Sequence, residues 1–352
     1  MRTLLLIILL SATFCLSAQT KKVLFEEFTG TGCGNCHEGH YIMDGLLDTY
    51  PNVIGVGLHT YNASDAMFFP EIDTIGEAYA PGAPMAATDR MFSSGSVAQT
   101  WATWESDIQD RLDEVPKVSV SLDVSWNSST REISTNITCN ILQNLLMGDY
   151  RFNLYVVEDS VTGAGSGYDQ VSYYNDDPSS PFYGLGNPIV GYVHRHVARA
   201  ILPNSWGQGG IISPSPLTGE SFSTTINYTL PASYDEQKIQ LVAFISKYTS
   251  NHQGDEVYNA EKAPLIDGPL GLSTFSQEAD FMVYPNPSDG IVYFEGTNIS
   301  KIRLFNSTGL AVIRIDLKMG TNRIDLNSLP KGIYYANMIT ESSCTTKKIV
   351  LY

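Results

Sequence analysis

The stretch Val23-Leu24-Phe25-Glu26-Glu27-Phe28, followed by Thr29-Gly30-Thr31-Gly32 and then Cys33-Gly34-Asn35-Cys36, decides the fold of the front of the chain. The first six residues form an apolar, aromatic-rich run that predicts a strand, and the glycines predict a turn. Ile42, Leu46 and Leu47 then recur at helical spacing up to Pro51. A CxxC motif placed between a strand and the first turn of a helix has a direct chemical consequence. Unsatisfied backbone N–H groups and the positive end of the helix dipole stabilise the thiolate of the first cysteine, making it a better nucleophile or leaving group. Cys36, one turn inside, is placed to resolve a mixed disulfide at Cys33.

Working outward, residues 53–59 predict a second strand and 71–79 a short helix. A third strand is predicted at 85–91, after Pro81-Gly82-Ala83-Pro84. Trp101, Trp104, Ile108 and Leu112 recur at helical spacing before Pro116. Strands alternating with helices imply an α/β layer over residues 19–115. Beyond Pro116 the period drops to two: Val118, Val120, Leu122, Val124 and Trp126 alternate with Ser and Asp, and Ile133, Ile137, Cys139 and Ile141 follow. Further strands are predicted at 149–158, 190–202, 220–230 and 238–248, so residues 116–266 are expected to be an antiparallel β-sandwich. A linker is expected at 267–280. Residues 281–352 read as a small β-sandwich of short strands punctuated by proline and glycine turns. The fold class is thus α/β followed by all-β.

The first 18 residues have the pattern of a secretory signal: Arg2, an apolar run at 4–10, and a small-residue end at Ala18. Bulky Phe14 stands where a lipoprotein signal through Cys15 would need a small residue. No later stretch reaches the roughly 20 apolar residues of a membrane span. Export would put Cys33, Cys36, Cys139 and Cys344 in an oxidising compartment. With 21 Lys+Arg against 37 Asp+Glu, the net charge is −16, which argues against nucleic acid and anionic membrane surfaces as partners.

Strand, CxxC, helix and a later Gly-x-Pro before a strand resemble a thioredoxin-like domain. That resemblance makes Pro84 the proline that packs beside the disulfide and shapes the substrate groove. It makes Glu27 the buried acid that assists proton transfer. Gly32 and Asn35 depart from the usual Trp and Pro, so the family's redox potential does not carry over. The run from Glu26 to His40, together with 54–59, 82–90 and Tyr192-Val193-His194-Arg195-His196-Val197-Ala198-Arg199, also resembles the Omp28-related family of exported proteins in Bacteroidota. His37 stands where that family has proline. This resemblance covers residues 22–265 and implies a surface location and a thioredoxin-like domain, with no defined reaction.

Three readings of the motif stay open: active thiol–disulfide exchange; a structural Cys33–Cys36 disulfide in a surface binding or adhesion protein, whose aromatic-rich β domain meets an unknown protein or surface ligand; and a c-type haem site. Cys33-Gly34-Asn35-Cys36-His37 is literally C-x-x-C-H, with His37 as proximal ligand. Beyond it, His194 and His196 lie two apart in an expected strand and could share a metal, with no third ligand visible. His40 and His59 could flank the thiols. The glycine-rich run at 163–167 opens no helix, and Asp176-Asp177 reads as a turn before Pro178. No nucleophile elbow or His-Glu-x-x-His helix supports a hydrolase. Cys139, on the apolar face of its strand, is expected to be an inert buried thiol.

At the C-terminus, Tyr284-Pro285-Asn286-Pro287-Ser288-Asp289-Gly290, Phe305-Asn306-Ser307-Thr308-Gly309, Leu329-Pro330-Lys331-Gly332-Ile333-Tyr334 and Lys347-Lys348-Ile349-Val350-Leu351 occur in that order. Together they resemble a type A sorting domain of the type IX secretion system. The resemblance implies that apparatus as a partner and delivery to the cell surface or the medium.

Overall fold

The computed structural model describes residues 20–266, 282–295, 301–306, 311–316, 322–339 and 344–352. The expected signal segment 1–18 and linker 267–280 lie outside them. The described chain is mostly β-strand with three α-helices, arranged in two compact units that divide at Asp267 and Gly268.

In the first unit, β1 (Val23–Thr29) is buried on both faces, as expected for a strand inside a layered sheet. It pairs parallel with β2 (Val53–His59) and antiparallel with β3 (Met85–Thr88). The helix α1 (Cys36–Thr49) makes the crossover from β1 to β2, and α2 (Pro70–Tyr79) leads to β3. The predicted third strand ends at Thr88 because Asp89 and Arg90 adopt left-handed backbone, with φ of 47° and 54°. That turn puts both charged side chains into the interior. The last helix, α3 (Trp104–Leu112), begins three residues later than the Trp101 spacing implied.

The separation expected at 115/116 does not divide the sheet. β6 (Asp149–Glu158), β7 (Val197–Leu202), β9 (Ile239–Tyr248) and β10 (Val257–Pro264) continue it in the order β10-β9-β6-β7-β2-β1-β3. The join is a parallel pairing of β2 with β7 at Gly57 and Val197, a contact between segments 140 residues apart that no local period reveals. β10 carries no strong alternation and was not expected from the sequence. A separate three-stranded antiparallel sheet contains β4 (Val118–Asn127), β5 (Glu132–Ile141) and β8 (Ser221–Thr229).

Alternation along the central strands explains the layers. Val23, Phe25 and Val53 face α1 and α3 through Met43, Leu46, Trp104 and Ile108. Phe152, Leu154, Val156, Leu241, Ala243 and Ile245 face Val118, Val120, Ile133, Ile137 and Cys139 of the three-stranded sheet. Leu24, Phe28, Val56, Tyr155, Val157 and Phe244 meet Ile72, Ile75 and Tyr79 of α2. A buried ionic network ties the layers together. Arg90 donates to both carboxylate oxygens of Glu26 at 2.8 Å and to the Tyr155 hydroxyl at 2.5 Å.

In the second unit, β11 (Met282–Tyr284), β12 (Ile291–Glu295) and β15 (Asn322–Asp325) form one antiparallel sheet. A second contains β13 (Lys301–Asn306), β14 (Ala311–Asp316), β16 (Gly332–Ile339) and β17 (Cys344–Leu351). Val292, Phe294 and Ile324 of one meet Ile302, Leu304, Ala336 and Ile349 of the other in a single apolar core. The Pro285-Asn286-Pro287 turn is clipped to the final strand: Asn286 donates to the Lys348 carbonyl at 2.6 Å and accepts from the Val350 N–H at 2.9 Å.

Candidate functional site

The turn between β1 and α1 is fixed from beneath by a buried carboxylate. Asp65 accepts from the Thr31 N–H at 2.8 Å, the Met67 N–H at 2.9 Å and His59 Nδ1 at 2.8 Å. Burial works against the charge of Asp65, and these hydrogen bonds with His59 outweigh it, holding the carboxyl below its usual range. The turn places Cys33 three residues ahead of the helix and Cys36 at its first residue, where the two form a disulfide. Both are buried, at 3% and 0% exposure.

Glu27 lies on β1 opposite Gly57 of β2 and Ala86 of β3, two small residues that leave room for its side chain. It is fully buried. Its Oε2 is 3.0 Å from His40 Nδ1. A methyl group on Gly39 would come within 2.7 Å of Glu27 Oε1 and 2.8 Å of the Pro84 ring, so only glycine lets α1 close over this acid and the loop that carries Pro84. The Ala83–Pro84 peptide bond is cis. For His40, burial opposes the charged ring, and the charge and hydrogen bond of Glu27, helped by Asp44, outweigh it and hold its pKa above the usual value.

Five of the six histidines gather around this turn. His37 Nε2 is 3.0 Å from the Ser172 hydroxyl, with its ring edge-on to Phe182 and Tyr174 at 4.4 and 5.5 Å. Burial pushes its pKa down to about 4. His194 sits against His59, donates to the Tyr168 carbonyl at 2.7 Å, and is likewise pushed down by burial to about 4. His196 instead stacks on His40 and bonds Asp44 at 3.1 Å. The expected shared face of His194 and His196 is not formed. The strand begins only at Val197, and His196 has a φ of 55°, which turns the two rings to different partners. Among the described residues no cluster of three or more His, Cys, Asp or Glu side chains is arranged to hold a metal.

A segment without any recognisable motif lies against the turn that carries the disulfide. Val171 N–H donates to the Thr31 carbonyl at 2.8 Å and Tyr173 N–H to the Gly34 carbonyl at 2.9 Å. Gln170 Nε2 donates to the Cys33 carbonyl at 2.9 Å. The Tyr173 ring lies where a Cβ on Gly34 would approach it to 2.6 Å. These contacts bear on the haem reading. The sulfurs that would form thioethers are joined to each other, and the two sides of His37 are occupied by Ser172, Tyr174 and Phe182. The residues present do not fit a haem at this motif.

The sequence pattern of outer membrane protein Omp28 matches residues 74–265, more than half of the chain. The chain belongs to the Omp28 family. Residues 282–352 match the secretion system C-terminal sorting domain, which implies engagement with the type IX secretion system and export to the cell surface. The fold is similar to that of HBP35 of Porphyromonas gingivalis, with a TM-score of 0.56 and 18% identity over 95% of this chain and 99% of that one. Weaker likenesses are to protein AGR_C_4864 from Agrobacterium tumefaciens (TM-score 0.44, 14% identity, 72% of this chain and 99% of that one) and to a domain of the outer membrane lipoprotein Omp28 from Porphyromonas gingivalis (TM-score 0.25, 14% identity, 43% and 90%). No curated protein matches the chain. No helix among the described residues is long and apolar enough to cross a membrane.

Proposed function

We propose that this Omp28-family surface protein carries out thiol–disulfide exchange at Cys33 and Cys36, in a thioredoxin-like arrangement of β1, α1, β2 and β3. The observation that carries this reading is the buried Glu27–His40 pair beneath the motif. Burying an acid and a base together costs several kcal/mol of desolvation and is weak as a source of stability. A disulfide that merely braces a scaffold has no use for it, whereas exchange needs a proton donor and acceptor beside the inner sulfur.

In the oxidising direction a substrate thiolate attacks Sγ of Cys33 and the Cys33–Cys36 bond breaks. Cys36 leaves with the electron pair, and the Glu27–His40 pair supplies its proton, which originates on the imidazolium of His40 and is relayed by the Glu27 carboxylate. A second substrate thiolate then attacks the substrate sulfur of the mixed disulfide and releases Cys33 as a thiolate, favoured by the start of α1. The substrate ends as a disulfide and the protein as a dithiol, two electrons having passed between them. Pro84, against Gly39 and Glu27, bounds the groove.

The burial of both sulfurs favours a second reading, a structural disulfide in a non-enzymatic surface binding protein. Equilibration with dithiothreitol, followed by thiol titration, separates the two. A working exchange site is expected in the range from about −270 to −120 mV, whereas a disulfide more reducing than about −300 mV supports the brace. Cys33→Ser should abolish exchange with a reduced dithiol peptide while Cys139→Ser leaves it intact.

A further inference from the structure

The cover over the disulfide is itself built like a bound ligand. Burial alternates along residues 170–173: the side chains of Gln170 and Ser172 point inward and are 2% and 1% exposed, while Tyr173, at a bend in the backbone, points out and is 71% exposed. The N–H groups of Val171 and Tyr173, two residues apart on one edge, donate to Thr31 and Gly34. Between them Gln170 reaches the carbonyls of Cys33 and Gly30 at 2.9 and 3.3 Å, and Ser172 meets His37. Alternate main-chain donors on one edge with alternate side chains in pockets is the pattern by which an extended peptide is recognised. We propose that the main-chain carbonyls of Gly30, Thr31, Cys33 and Gly34 form a binding edge for an extended, cysteine-bearing peptide, occupied at rest by the protein's own residues 170–174. Such a peptide reaches Cys33 by displacing this internal strap.

The attachment of the strap fits a displaceable segment. Residues 162–196 contain no helix or extended ladder, only the single bridges of Gln170 with Ile189 and His194 with Val161. Apolar anchorage comes from Tyr168 against Met67, Val161 and Val197, from buried Ile189, and from the rings of Tyr174 and Phe182 against His37. Over the disulfide the strap is held by individual hydrogen bonds, each of modest net strength, so local opening is easier than unfolding of the sheet. The outer face of the strap is held by Asn187 Oδ1 accepting from the Ser172 N–H at 3.1 Å. Further out, Asn175 Oδ1 accepts from the Gly186 N–H at 2.7 Å.

This inference rests on the exchange reading for the identity of the peptide, and the experiment keeps the two apart. The full chain, oxidised, is reduced either with dithiothreitol or with a synthetic peptide carrying two cysteine thiols, and alkylation followed by mass measurement gives the rate. In both arms a thiolate attacks Cys33, Cys36 is released as a thiol, and the dithiol closes to its own disulfide. Gln170→Ala removes the strap's side-chain bonds to the Cys33 and Gly30 carbonyls and should speed both reactions about tenfold, with the amide exchange of Val171 and Tyr173 rising in proportion. Ser172→Ala should act in the same direction, which guards against a fault peculiar to one variant. The unfolding midpoint read at Trp104 should stay in place.

Unchanged rates in both variants would overturn the proposal, as would a wild-type rate equal to that of a free Cys-Gly-Asn-Cys peptide. Faster dithiothreitol reduction with no gain for a peptide that does react would reduce the strap to a shield and overturn the peptide edge. A peptide that never reacts with wild type or variants, while dithiothreitol does, would bring down the exchange reading instead.

Discussion

Replacing Glu26 by Gln tests whether the front and back of the first unit are one cooperative body. Glu26 and Arg90 are 0% and 1% exposed, and the guanidinium makes two 2.8 Å bonds to the carboxylate. Tyr155 of β6 donates to Glu26 Oε1 at 2.7 Å, so one network joins β1, the turn after β3, and β6. The rings of Tyr79 and Phe244 flank the guanidinium at 5.3 and 5.0 Å, leaving no route for water to replace a lost partner. Burial opposes the charge of Arg90, and Glu26 outweighs that penalty, keeping its pKa above the ordinary value. Glutamine keeps the shape, removes the negative charge and turns an N–H₂ toward donors. Leaving a buried charge without its partner costs about 3–5 kcal/mol. With a urea slope of roughly 3 kcal/mol per M for a unit this large, the midpoint should fall by about 1–1.7 M. Adding Arg90→Met should recover at least about 2 kcal/mol, because no unpaired charge then remains. The assay is urea unfolding of oxidised single-tryptophan forms, one keeping Trp104 against Phe25 and the other Trp206 against His252. A loss under about 1 kcal/mol, or separate transitions at the two tryptophans, would refute the reasoning.

Gly39→Ala should destabilise the unit by about 1–3 kcal/mol through overpacking against Glu27 and Pro84, and should slow dithiol exchange more than Gly45→Ala, whose Cβ meets open space; thermal unfolding and exchange rates check both. His37 and His194 are held neutral in the folded state, down to about 4 from an ordinary 6.5. Their contribution is therefore present above about pH 6.5 and lost as pH falls toward 4, by up to about 3 kcal/mol each, and His194→Gln should flatten that acid limb in urea titrations. His40 has the opposite sign: its folded pKa is raised, so the Glu27–His40 contribution is intact at low pH and lost as pH rises through that raised value, and His40→Gln should remove this alkaline loss. Burial pushes the Cys139 thiol up to about 12, so iodoacetamide at pH 8 should leave Cys139 unmodified until the protein is unfolded, as peptide mapping will show. Removing residues 282–352 should stop delivery to the cell surface, read by fractionation and surface proteolysis, while 20–266 retains its unfolding midpoint.

Local chemistry alone determined several features of this protein. The apolar run before Thr29-Gly30-Thr31-Gly32, the cysteine pair and the helical spacing of Ile42, Leu46 and Leu47 were sufficient to place Cys33 and Cys36 at a strand-to-helix turn, because those signals act within a few residues. Period-two alternation likewise set β4 and β5, and apolar runs between polar loops set β6 and β9, to within a residue or two, and the C-terminal turn motifs announced the sorting domain. Tertiary structure decided what those elements become. The parallel contact of Gly57 with Val197 merges two expected domains into one sheet, and it depends on sequence-distant backbones finding each other. His194 and His196 part company because one left-handed residue outweighs an alternation that sequence spacing takes for granted. Val171 and Tyr173 carry no motif because they act through main-chain N–H groups, which leave almost no mark on side-chain identity, and Gln170 and Ser172 act through side chains on Cys33 and His37, partners too distant in sequence for any local pattern to reveal.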